Sequence, residues 1–84
     1  MYAIEYSETA RKQIHKLARD LQERIITTLE RIRVRPEVYV TKLVGEPEYK
    51  LRVGDYRIIL DIQKEKLIIL LLKAGHRKNI YDKA

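Results

Sequence analysis

The chain has no cysteine, no tryptophan and no phenylalanine, and among its 84 residues only three are glycine, two proline and two histidine. Without cysteine there is no disulfide framework, no thiolate nucleophile and no cysteine-ligated zinc or iron–sulfur site. His15 and His76 stand alone, so a histidine-rich metal site is not expected. The carboxylates do not make up the shortfall. Asp55 falls in a turn and Asp61 stands by itself on a strand, whereas metal-dependent nuclease chemistry needs two or more converging carboxylates. No glycine-rich phosphate loop and no serine–histidine arrangement is present. Of six tyrosines only Tyr49 and Tyr56 lie in the basic meander described below, too few for an aromatic stacking platform. The longest apolar run, residues 67–72, is far short of a membrane span. The opening Met1-Tyr2-Ala3-Ile4-Glu5 has neither the basic nor the apolar region of a signal peptide. The expectation is a cytoplasmic protein without metal, small-molecule cofactor or membrane contact.

What is present is apolar content of 45% beside 36% charged residues, the balance of a folded chain. A chain this short is expected to form one domain, residues 1–84, with a thin core. The net charge of +6 is unevenly placed. Residues 1–49 carry nine Lys/Arg against eight Asp/Glu, whereas residues 50–84 carry nine against four. A cationic surplus confined to one segment predicts a basic face, and a basic face suits a polyanion. A cationic face that merely keeps the protein soluble is the alternative.

Residues 2–6 are rich in β-formers and bounded by Ser7, which predicts an edge strand. Ser7 is placed to cap a helix whose apolar stripe is Ala10, Ile14, Leu17 and Leu21. Asp20 followed by Glu23 resembles a capping box and predicts a break there. Ile25, Leu29 and Ile32, with Ile26 beside them, then line a second helix that should stop near Arg35, before Pro36. Residues 38–48 show no period, and Gly45 and Pro47 mark a loop. Tyr49, Leu51 and Val53 alternate with Lys50 and Arg52, Gly54-Asp55 suits a two-residue hairpin turn, and residues 56–62 return. After the polar turn 63–66, the unbroken run 67–74 predicts a central strand covered on both faces and ended by Gly75. The expected fold is α+β: an N-terminal strand, a helical hairpin, then an antiparallel β-meander, with the helices on one face of the sheet.

Lys50 and Arg52 share a parity and point away from Leu51 and Val53. Across the predicted turn Val53 meets Tyr56, Arg52 meets Arg57 and Lys50 meets Ile59. Two arginines facing each other are destabilising, and an anion such as a phosphate between them would relieve that cost. Arg77, after Gly75-His76, can reach the same face, with Lys78 and Tyr81 close behind. The alternative is that these arginines only hold scattered surface carboxylates. His15, off the apolar stripe, suits a solvated helix position.

The segment Leu51-Arg52-Val53-Gly54-Asp55-Tyr56-Arg57-Ile58-Ile59, followed by an apolar strand, Gly75-His76-Arg77 and Ile80-Tyr81, resembles the RelE/ParE toxin superfamily. Ser7 and Ala10 at a helix start and Arg35-Pro36 closing the hairpin fit too, so the resemblance spans the chain. It implies a RelE-like fold and a toxin of a type II toxin–antitoxin system. For RelE-type members it implies a ribosome-dependent messenger RNA endonuclease, neutralised by a RelB-like antitoxin. For ParE-type members it implies inhibition of DNA gyrase. Carried over by motif, the RelE pattern places catalytic residues at Lys50, Arg57, Arg77 and Tyr81. RNA-binding positions then comprise Lys50, Arg52, Arg57, His76, Arg77 and Lys78. Family members often carry a further lysine two residues before the first, where this chain has Glu48. The departure leaves more of the work to Tyr81. A ParE-type gyrase-inhibiting toxin, against which Arg77 and Tyr81 argue, and an inactive basic binding module are the alternatives.

Overall fold

The computed structural model describes residues 1–80. Strand β1 (Ala3–Tyr6) leads into helices α1 (Glu8–His15) and α2 (Arg19–Ile32), a 3₁₀ turn (Pro36–Val38), and strands β2 (Val40–Lys42), β3 (Tyr49–Val53), β4 (Tyr56–Gln63) and β5 (Ile68–His76). The strands form one sheet in the order β1-β5-β4-β3-β2. β1 runs parallel to β5 and every other pairing is antiparallel. The chain thus adopts the expected α+β architecture, with β1 at one edge.

Both helices pack on one face of the sheet. Ala10 and Ile14 of α1 and Ile25, Leu29 and Ile32 of α2 meet Leu51, Val53, Ile58, Leu60, Ile69, Leu71 and Ala74 in a single apolar cluster. Ser7 caps α1 as its sequence position implies, the hydroxyl accepting from the Ala10 amide at 3.0 Å. The same hydroxyl donates to the Leu72 carbonyl at 2.9 Å, so the cap also fastens the helix start to β5.

Several boundaries differ from those read in the sequence. α2 begins after an extended Ala18 with no side-chain cap, and Asp20 sits inside the first turn, where the helix dipole favours a carboxylate. The tight connection is tied by Gln22, whose amide donates to the carbonyls of Leu17 and His15. At its other end α2 stops at Ile32, short of Arg35, because Arg33 turns to β1. Its Nε donates to the Tyr2 carbonyl and its own carbonyl accepts the Tyr2 amide. Residues 38–48 are not wholly loop, since Val40–Lys42 pair with β3. That strand is too short to show a period of its own and forms because β3 offers an unpaired edge.

β5 begins at Ile68, because Leu67 adopts a positive φ of 55° in the turn, and it continues through Gly75 to His76. It is internal to the sheet, as expected, but only one face is fully covered. Ile69, Leu71 and Ala74 are buried against the helices, while Ile68 and Leu70 are half-buried. The β4–β5 register also shifts between Ile59 and Leu60, with Leu60 opposite Leu71 and Ile59 opposite Lys73. Leu72 is therefore the extra residue of a β-bulge. Bulged backbone must find its hydrogen bonds elsewhere, and α1 with its cap supplies them: the Ser7 hydroxyl donates to the Leu72 carbonyl, and the Gln13 side-chain Oε1 accepts from the Ala74 amide at 2.7 Å.

Ser7→Ala removes a helix cap and a bulge hydrogen bond together, and is expected to cost about 1–2 kcal/mol of unfolding free energy. Urea denaturation measures this directly. A loss within about 0.5 kcal/mol, the range of an ordinary surface substitution, would show that the double contact contributes little.

Candidate nucleic-acid interface

The hairpin that presents the cations forms as its sequence suggests. Gly54 adopts a φ of 59°, which L-residues with a Cβ rarely tolerate, and the two-residue turn sets Val53 opposite Tyr56, Arg52 opposite Arg57 and Lys50 opposite Ile59. Since Leu51, Val53, Ile58 and Leu60 are in the core, alternation sends Lys50, Arg52, Arg57 and Ile59 to the face without helices. β5 completes two rows across three strands. One row reads Lys50, Ile59, Lys73 and the next Arg52, Arg57, Gly75. Further from the turn the same face carries Asp61 opposite Leu70, and Glu5 beside Leu70 on β1. The open face is thus cationic at the hairpin end and acidic and apolar at the other.

Arg57 folds back over the turn, its Nη1 donating to the carbonyls of Gly54 and Tyr56, each at 3.0 Å. The chain after β5 comes to the same turn. The Arg77 amide donates to the Asp55 carbonyl at 2.8 Å, and the Arg77 Nε lies 4.0 Å from the Asp55 carboxylate, both side chains being largely exposed. Such a pair contributes little to stability. His76 is half-buried with its ring edge-on to Tyr56, at a centroid separation of 5.5 Å. Its Nδ1 accepts the Lys78 amide, and its carbonyl accepts from Asn79 and Ile80. A neutral His76 therefore carries its proton on Nε2, an assignment that rests on the hydrogen-bond pattern. Lys78 is exposed in this terminal turn and Lys50 is half-buried on β3. The fold thus gathers Lys50, Arg52, Arg57, His76, Arg77 and Lys78 around one end of the sheet. Tyr81 lies outside the described residues.

Two cations of this region went unread in the sequence. Arg24 of α2 reaches the turn from the helix side, where a Cβ on Gly54 would come within 3.0 Å of its Nη2. Nothing local to α2 signals that contact. Lys73 is the one charged residue in the apolar stretch 67–74, and that signal was available. Simple alternation from Ile69 and Leu71 would turn it into the core. The bulge reverses the parity, so Ala74 faces inward and Lys73 is exposed.

Lys73 also borders a cleft of about 340 Å³ at the edge of β5, with Gln13, Gly75, His76 and Asn79. A second cleft, of about 190 Å³, lies on the helix side between Tyr6, Arg11, His15 and Ile26. Burial, with the nearby Glu30 carboxylate, pushes the Tyr6 hydroxyl above the ordinary phenol value against an opposing effect of Arg11, so it stays protonated at neutral pH. His15 is exposed there, as its sequence position suggests. Among the described residues no three histidine, aspartate or glutamate side chains converge as metal ligands, and no helix is long and apolar enough to cross a membrane.

Comparison with known proteins follows the same lines. The family described as the ParE toxin of the type II toxin–antitoxin system ParDE matches residues 4–81. The mRNA interferase toxin RelE of Escherichia coli K12 is 27% identical, over 99% of this chain and 93% of its own length. The toxin–antitoxin complex RelBE of E. coli contains a chain that superposes with a TM-score of 0.78 at 28% identity, covering 90% of this chain and 96% of that one. In fold alone, a chain of the RelBE2 complex of Mycobacterium tuberculosis gives a TM-score of 0.83 at 24% identity, over 90% of this chain and 98% of its own. A family match over nearly the whole length and the RelE arrangement of strands and helices agree, and the chain belongs to the ParE toxin family of type II toxin–antitoxin systems as a RelE-type toxin.

Proposed function

We propose that this toxin cuts messenger RNA on the ribosome, using the ribose 2′-oxygen as nucleophile on the adjacent phosphate without a catalytic metal. One observation carries the reading: Lys50, Arg52 and Arg57 share the open face, and the backbone contact between Arg77 and Asp55 brings Arg77 to its end. Cleavage of this kind needs removal of the 2′-OH proton, stabilisation of the phosphorane charge and protonation of the departing 5′-oxygen. By its resemblance to RelE, the pattern assigns Tyr81 to the first task, Lys50 and Arg57 to the second, and Arg77 to the third or to charge stabilisation. RNA-binding roles extend to Arg52, His76 and Lys78.

These groups are poor acid–base catalysts by themselves. A phenol with an ordinary pKa near 10 is only about 0.1% ionised at pH 7, and arginine does not give up its proton in that range. Positioning has to supply the rest. Holding a nucleophile in line can contribute about 7–11 kcal/mol, which is what a ribosomal decoding site gripping the messenger would provide. The isolated protein should therefore be a weak nuclease.

A RelB-like antitoxin is the expected inhibitor, consistent with solved relatives that are RelB–RelE complexes. Acidic residues of such a partner would meet Lys50, Arg52, Arg57 and Arg77, while its apolar residues would cover part of β5. Gyrase inhibition is the second reading, favoured by the matched family's own description as ParE. Purified gyrase assayed with and without the protein separates the two.

Arg77→Ala is expected to lower cleavage of programmed ribosomes about 10²–10³-fold, the usual loss when one stabilising charge is removed from a developing oxyanion. Tyr81→Phe keeps the ring and deletes the hydroxyl. If it cuts at the wild-type rate, Tyr81 is not the base. The product ends test the nucleophile: 2′,3′-cyclic phosphates are expected, and 5′-phosphate with 3′-hydroxyl ends would indicate attack by water instead.

A further inference from the structure

Lys73 occupies a place on the open face that nothing in its immediate sequence explains. It interrupts an apolar strand, and it reaches the open side only because the bulge at Leu72 reverses the alternation of β5. Its position is tied to that of Lys50. Both sit opposite Ile59 in the same row, one on each neighbouring strand. Two strand spacings separate their backbones by about 10 Å. Ile59 between them is 3% exposed although it lies outside the main apolar cluster. The methylene stems of two lysines flanking an isoleucine can pack along it, and Lys73 is exposed to solvent beyond it. With backbones about 10 Å apart, close to the Debye length in about 0.1 M salt, screening weakens the repulsion between the two charges.

We propose that Lys73 is a phosphate-contacting residue of the RNA site, supplying from β5 a second lysine beside Lys50. The inference rests on the RNA reading above and extends it to a residue outside the matched motif. Lys50 and Lys73 bracket the Ile59 row while Arg52 and Arg57 form the next, so a single strand crossing the sheet meets cations on both sides of its path. Glu48, half-buried just ahead of β3, cannot provide such a charge. A lysine from the neighbouring strand adds one within the same tract. Its ammonium is a mobile point charge on a long stem, suited to contacting a phosphate without selecting the base.

The full-length protein is titrated with a fluorescent mixed-sequence 12-nucleotide RNA, and the logarithm of affinity is followed against that of KCl concentration. Each lost phosphate contact on a single strand flattens the slope by about 0.7. Lys73→Gln is expected to weaken binding and flatten the slope by about that amount. Lys73→Arg should keep both near wild type. Lys66→Ala, in the exposed turn at the far end of β4 and β5, controls for net charge and should leave the slope unchanged. Equal flattening by Lys66→Ala and Lys73→Gln would mean that only overall charge is sensed, and would overturn the assignment. A flattened slope for Arg57→Ala with none for Lys73→Gln removes Lys73 from the site but keeps the RNA reading. If neither variant changes RNA binding, the RNA reading falls and this inference with it.

Discussion

Leu72 has no counterpart across the β4–β5 ladder, so the strand faces opposite ways on either side of it. Before the bulge, Ile69 and Leu71 point at the helices. Beyond it, Ala74 does so, and Lys73 shares the open face with the Arg57–Gly75 row. A bulge of this kind leaves backbone groups that must be satisfied from outside the ladder. Ser7, the cap of α1, and Gln13 within it meet that need through the Leu72 carbonyl and the Ala74 amide. The first helix and its cap therefore hold the last strand at the point where its phase changes. Because β5 ends in His76 and is followed by Arg77, the same contacts bear on where the chain leaves the sheet.

Among the described residues the helices cover only one side of the sheet, against a thin core of isoleucine and leucine, and this division leaves the cationic face open. The uncovered face is polar where the hairpin turns and partly apolar toward β1. Two of its cations are positioned by backbone contacts. Arg57 donates to two carbonyls, and Arg77 is placed by its own amide. A guanidinium held by a carbonyl keeps its full charge, whereas one closed into a bidentate pair with a carboxylate would already be neutralised. This favours a polyanion site over a set of arginines serving only to hold surface carboxylates.

The hairpin was legible because its information is local. Gly54 permits the turn, and the turn sets every pairing from Val53–Tyr56 to Lys50–Ile59. Ser7 announced its helix for the same reason. Features that depend on distant partners were not legible. Val40–Lys42 becomes a strand only because β3 lies beside it, and α2 ends early because Arg33 engages Tyr2. Lys73 is the sharpest case. Its lone charge marks it in the sequence, but alternation places it in the core, and the residues that hold the bulge, Ser7 and Gln13, are some sixty positions away in the chain. Arg24 touches Gly54 across the fold, again without a local sign.

Asp55 shows how a cationic site of this kind can remain folded while empty. The turn needs a residue after Gly54 that tolerates tight geometry, and aspartate does so readily. Placed there, its carboxylate stands near Arg77, at a separation and exposure too great for a strong pair. It offsets part of the repulsion among neighbouring cations without occupying the guanidinium. A phosphate oxygen approaching Arg77 would have to displace little, since the existing contact is weak and solvated. A tighter internal pair would stabilise the unliganded fold more but would compete with the ligand for the same donors. The spacing seen here lies on the side of binding: the backbone holds the arginine in place, and its side chain stays open to an incoming anion.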